Sequence, residues 1–184
     1  MSDYCNCGTA CSSEANGEES KRTVRLKFLR TELLYDIKNY AYIEGDVLGE
    51  DNQHAQHVLV EVGETGNVDR VTRILAVVHA AVIEMLYPWT KTEALEEEID
   101  DNLFAPDEYV VELHVPEDVS RTTMHLLSRL IHEYMVYRVL ADWLSITNPR
   151  AAENWAAKAE ATESEIAKAK STHKGVFTRK SHPW

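Results

Sequence analysis

SRTTMHLLSRLIHEYMVYRVLADWLSITNP, residues 120–149, decides the fold. Leu127, Leu130, Ile131, Tyr134, Leu140, Ala141 and Leu144 recur at helical steps, so they fill one wide apolar stripe on a helix from about Ser120 to Thr147. Pro116 closes the segment before it, and Asn148-Pro149 breaks it. Proline is tolerated in a first helical turn, so a further helix begins at once. Residues 150–171 are rich in Ala, Glu and Lys, with Trp155 and Ile166 as the large apolar residues. High helix propensity with a narrow stripe predicts an outer helix or a projecting arm.

Working towards the N-terminus, Tyr109, Val111, Leu113 and Val115 alternate with Val110, Glu112 and His114, the pattern of a short strand with one buried face. His57-Val-Leu-Val-Glu-Val62 predicts the other strand of a minor β element. Between them Val71, Leu75, Val78, Val82 and Leu86 mark a helix that Asn67 would cap and Pro88 would stop. Thr90 and Glu93 have capping-box spacing and predict a short helix carrying Leu95 and Ile99 inward. Leu29, Leu33, Ile37, Tyr40 and Ala41 predict a first helix ending at Gly45. The fold class is therefore mostly α: a bundle of about four main helices with a minor two-strand β element and extended N- and C-terminal tails. Residues 1–20 read as a mobile or partner-ordered tail, 21–172 as a single helical domain, and 173–184 as a basic aromatic C-terminal tail. Leu33, Ile37, Leu75, Val78, Val82, Leu127, Leu130, Ile131 and Tyr134 form the expected core.

The 184 residues carry 19 Lys and Arg against 31 Asp and Glu, a formal charge of −12. That balance disfavours bulk duplex binding, although a local basic patch remains compatible with it. The charge is segregated. Residues 92–118 hold eleven acids and no Lys or Arg, among them Glu96, Glu97 and Glu98. Residues 21–30 hold Lys21, Arg22, Arg25, Lys27 and Arg30 with no acid, and residues 168–180 hold another five cations. Exposed pairs within one subunit stabilise by only about 0–1 kcal/mol. A repeated contact between an acidic face and a neighbour's basic segment would instead close a ring. Phe177 and Trp184, flanked by Arg179 and Lys180, are apolar hooks on a segment with no fold of its own, and Trp155 is the large residue on a narrow helix stripe, so all five are candidate partner contacts.

Chemistry-bearing constellations are weak. Cys5, Cys7 and Cys11 match no standard zinc knuckle and would need a fourth ligand from elsewhere. His132-Glu133 begins like a zinc-protease helix, but Val136 stands where the second histidine belongs, so both read as helix surface or satisfied interior groups. Asp51, His54 and His57 lack a further donor and read as a solvated connection. No nucleophile elbow, phosphate-cradling loop or dinucleotide fingerprint is present. The sequence thus predicts no enzymatic activity and no cofactor. With no 18-residue apolar run and no apolar leader, it predicts no membrane partner and a reducing cytoplasm. An acidic mimic of nucleic acid and, less favoured, a metal-dependent enzyme are the competing function classes.

The helix TELLYDIKNYAYIEGD (31–46), the run GNVDRVTRILAVVHAAVIEMLYPWT (66–90), the helix LIHEYMVYRVLADWLSITNP (130–149) and the ending RKSHPW (179–184) resemble small structural proteins of tailed bacteriophages and prophages. In kind they are similar to the mostly helical head-to-tail connector, or adaptor, proteins that form a ring under the portal. The likeness spans about residues 24–184 and rests on helix order, because connectors carry no catalytic signature; the first 20 residues fall outside it, and the acidic 92–118 insertion is long for a minimal connector. It implies a virion neck component assembled in the host cytoplasm, a cyclic homo-oligomer without enzymatic activity, contacts to the portal and to neighbouring neck or tail proteins, and DNA passing through the channel without sequence-specific binding.

Overall fold

At Ser120 the hydroxyl accepts the backbone N–H of Thr123 at 3.0 Å, and a helix runs from there to Asn148 without interruption. This is the central element of a computed structural model that describes residues 21–47, 62, 65–91 and 105–172. In chain order the elements are β1 (Lys21–Leu29), α1 (Arg30–Val47), α2 (Thr65–Met85), β2 (Glu108–Pro116), α3 (Arg121–Thr147) and α4 (Pro149–Lys170). Among the described residues the chain is mostly helical, with four helices and a two-stranded antiparallel sheet.

Asn148 forms the joint between α3 and α4. Its backbone N–H donates to Leu144 O at 2.8 Å, closing α3, while its side-chain oxygen accepts from Ala151 N at 3.2 Å, opening α4 with Pro149 in the first turn. With a one-residue joint, α4 folds back along α3. It buries Ala151, Ala152, Trp155, Ala159, Thr162, Ile166 and Ala169 there. Of the two readings left open by composition, α4 is therefore the outer helix and not the projecting arm. Four alanines on one face let two helix axes approach closely, so a stripe poor in large residues still makes an extensive contact.

The sheet also departs from expectation. β2 forms as its alternation predicts, burying Tyr109, Val111, Leu113 and Val115. Its partner is β1, in a register running from Lys21 opposite Pro116 to Leu29 opposite Glu108. Leu26 and Phe28 are buried and Val24 is half-buried, so the basic segment alternates like any half-buried strand. The strand expected over residues 57–62 lies outside the described residues except for Val62, which is buried in the core.

Boundaries shift for local reasons. α1 runs through Gly45, which is buried among the residues facing the bundle. A mid-helix glycine costs about 0.5–1 kcal/mol relative to alanine, less than tertiary packing returns to an amphipathic helix. Asn67 lies within the first turn of α2 and does not precede it. That helix ends at Met85, just ahead of Pro88, and the Lys170 ammonium donates to Met85 O at 2.9 Å and Tyr87 O at 2.6 Å. A cation at a helix C-terminus is the favourable placement for the backbone dipole. Beyond Thr90, the expected short helix with Leu95 and Ile99 lies outside the described residues, as do the tails 1–20 and 173–184.

All nine expected core residues are buried together. They join Phe28, Met135, Val139, Leu140 and Leu144 in one cluster between the sheet and the four helices.

Candidate interaction surfaces

The basic strand is where the sequence-derived site residues meet the fold. Lys21, Arg22 and Arg25 all lie on β1. Arg25 Nε donates to Glu112 Oε2 at 2.8 Å, and Lys27 Nζ to Glu108 Oε1 at 2.7 Å, each bridging directly or nearly directly opposite positions of β1 and β2. Part of the acidic 92–118 segment is thus matched within the subunit by the basic strand. These pairs are well exposed, so each contributes only about 0–1 kcal/mol.

Arg22 reaches elsewhere, donating from Nη2 to Val119 O at 3.3 Å. It lines a groove of about 510 Å³ between β1 and the start of α3, together with Arg25, Lys27, Arg121, Met124, His125 and Ser128. The lining holds four permanent cations and no carboxylate. In a chain of net charge −12 this is the local basic patch that overall composition hides.

A second surface was not flagged by sequence reasoning. Leu33, Ile37 and Ala41 face the core from α1, and on the opposite side Tyr35, Tyr42 and Ile43 are 66%, 61% and 56% exposed. Tyr42 and Ile43 are adjacent and Tyr35 lies two helical turns before them, with the exposed Lys38 and Asn39 on the turn between, so this outer face carries large side chains at both ends of a polar turn. The missed signal was that the first helix carries apolar residues on two faces.

Trp155 does not belong to the surface. It is 3% exposed, its ring lies 5.0 Å from Tyr40 and 5.4 Å from Tyr137, and its Nε1 donates to Glu44 Oε1 at 2.9 Å. The Lys158 ammonium covers the outer face at 3.7 Å. Its assignment as a partner contact is corrected: an indole on an alanine-rich stripe fills the widest gap between α4 and α1. Phe177, Arg179, Lys180 and Trp184, like Glu96, Glu97 and Glu98, lie outside the described residues.

Two histidines, His132 and His79, tie elements together. His132 Nε2 meets Asp36 Oδ2 at 2.8 Å, tying α3 to α1, which is the satisfied role expected for it. His79 Nε2 donates to Val110 O at 3.0 Å, its ring 5.3 Å from Tyr109, and burial lowers its pKa below 6.5. Burial likewise raises the Tyr109, Tyr134 and Tyr137 hydroxyls above 10.0. Among the described residues no group of three His, Cys, Asp or Glu side chains is placed to hold a metal ion, and no helix is long and apolar enough to cross a membrane. Cys5, Cys7, Cys11, Asp51, His54 and His57 are outside those residues.

Comparison with known proteins adds no identity: no family model, no curated protein and no solved structure matches this chain.

Proposed function

We propose that the chain is a non-catalytic structural subunit of a tailed-phage neck, a ring-forming head-to-tail connector. The observation that carries this reading is the outer face of α1, where Tyr35, Tyr42 and Ile43 are exposed on the side away from Leu33, Ile37 and Ala41. Large side chains held outward on a rigid helix, with polar Lys38 and Asn39 between them, suit a mixed contact with a partner. Tyrosine suits such a role, since it adds contact area at low entropic cost and keeps a polar tip for the rim. On this reading the neighbours are further copies of the chain, the portal, and adjoining neck or tail proteins. The genome passes the ring without being read in sequence, and assembly takes place in the host cytoplasm before the subunit resides in the virion.

The test is the mass of the purified protein by light scattering, with negative-stain microscopy of the same sample. Closed rings are expected. Tyr35→Glu with Tyr42→Glu should leave the circular-dichroism spectrum intact while abolishing ring formation or binding to portal complexes. Wild-type protein that stays monomeric and binds no portal, or a double variant that assembles normally, overturns the reading.

A further inference from the structure

We propose that the groove beside β1 is the receiving half of the contact between copies, taking a carboxylate-bearing segment of a second copy along the free edge of the strand. This rests on the ring-subunit reading and adds to it which surface receives the neighbour.

Three observations converge on the groove. The first is geometric. Val24, Arg25, Leu26 and Lys27 are consecutive, yet all four line it. Successive strand side chains point to opposite faces, so a groove touching all four runs along the strand's edge. β2 occupies one edge of β1, and the sheet has two strands among the described residues, so the groove follows the other edge. An unpaired edge presents backbone donors and acceptors that an added strand can take up.

The second is Arg121. It is the first residue of α3, and the first turn of that helix holds no acid. The dipole at a helix N-terminus favours an anion and disfavours a cation. The helix alone gives no reason for arginine there; an incoming carboxylate does, since it would meet the guanidinium and the positive end of the dipole together.

The third is complementarity. Arg22 and Arg121 offer positive charge beyond the Arg25–Glu112 and Lys27–Glu108 pairs, while Val24, Leu26 and Met124 offer apolar contact, so the surface suits a segment that carries both acidic and aliphatic residues. A second copy brings a net charge of −12. The groove's lining holds no Phe, Tyr or Trp and only one ring, His125, so it lacks the row of stacking side chains that a nucleic-acid strand would use. A contact between a groove and an unlike segment is heterologous, the kind that closes into a ring.

Hydrogen exchange on the full-length protein, concentrated and diluted, tests this directly. On assembly the amides of residues 22–28 that point away from β2 should slow by about tenfold or more. Arg22→Glu with Arg121→Glu should weaken association by about 100-fold without altering the fold. Raising salt from about 0.1 M to 1 M, which shortens the Debye length from about 10 Å to about 3 Å, should weaken the wild type far more than the double variant. Protein that assembles with the β1 amides unprotected, or a double variant that assembles like the wild type, overturns this inference and leaves the ring reading in place. Protein that stays monomeric at every concentration overturns both. Protection of the same amides by a DNA oligonucleotide, and not by assembly, would show that the groove serves phosphates.

Discussion

Replacing Trp155 by Phe separates a packing role from a partner-binding one. Phenylalanine retains a ring against Tyr40 and Tyr137 but has no N–H, so the 2.9 Å bond to Glu44 is lost. Hydrogen bonds to charged groups contribute about 1.5–3 kcal/mol, and Glu44 is only half-buried, so water can partly replace the indole. The expected loss is about 1–2 kcal/mol, which lowers the melting temperature of a chain this size by about 2–8 °C. Trp155→Ala, which empties a site 3% exposed, should cost about 3–5 kcal/mol. Urea unfolding followed by far-ultraviolet circular dichroism measures both, because the fluorescence baseline itself changes with the substitution. A Glu44→Ala cycle isolates the pair: the two changes together should cost less than their sum by about 1 kcal/mol. If Trp155→Phe unfolds at the wild-type urea midpoint but reduces oligomer mass, the indole serves a neighbour and the packing argument is wrong.

Leu75→Ala should cost about 2–5 kcal/mol, since the side chain is fully enclosed; a loss below about 0.5 kcal/mol would place that face of α2 outside the core. His79 is held neutral by burial, so the unfolded chain takes up a proton below pH 6.5 before the folded chain does. Its contribution is complete above that pH and declines as pH falls towards the lowered folded pKa, by up to about 1.4 kcal/mol per pH unit. His79→Gln retains a donor for Val110 O and should flatten that acid limb in denaturation midpoints taken between pH 4 and 8, roughly the window in which histidine titrates. Lys170→Met removes the ammonium from Met85 O and Tyr87 O and should cost about 1 kcal/mol in the same urea assay, with no change in oligomer mass.

The helices were legible because their signals are redundant. In α3 the wide apolar stripe and the Asn148-Pro149 stop agree, and each of the nine core residues named from periodicity is buried. β1 carried a signal of equal quality, Val24, Leu26 and Phe28 at period two, but its four cations, Lys21, Arg22, Arg25 and Lys27, lower its mean hydropathy and mask the alternation. Of the two readings open for residues 150–171, α4 is the outer helix and not the projecting arm, because the small volume of alanine is what allows close helix contact. The outer face of α1 was hidden for a different reason. Periodicity identifies an apolar face, and a helix with two such faces gives no sequence rule for which one turns inward; Leu33 and Ile37 win because the sheet and α3 close over them.

A two-stranded sheet has two edges, and this one treats them differently. On the β2 side the His114 N–H donates to Trp89 O at 2.6 Å, so the loop after α2 covers part of that edge. The β1 edge is bordered by Arg22, Arg25, Lys27 and Arg121. Charged side chains along an open edge keep neutral strands from adding to it, which is by itself a sufficient reason for cations there. The same charges make an acidic segment the favoured addition, so one set of residues rejects most strands and accepts a particular kind. Protection alone would be achieved as well by glutamates on both strands of a chain this acidic, or by lysines scattered along β1. What it would not require is Arg121 at a helix N-terminus, where an arginine weakens the helix and does nothing for a strand edge that Arg22 and Lys27 already guard. That residue is therefore the sharpest discriminator between an edge that is merely blocked and one that awaits a partner: Arg121→Gln should stabilise the monomer by a few tenths of a kcal/mol and weaken association, whereas in a purely protective edge it would do only the first.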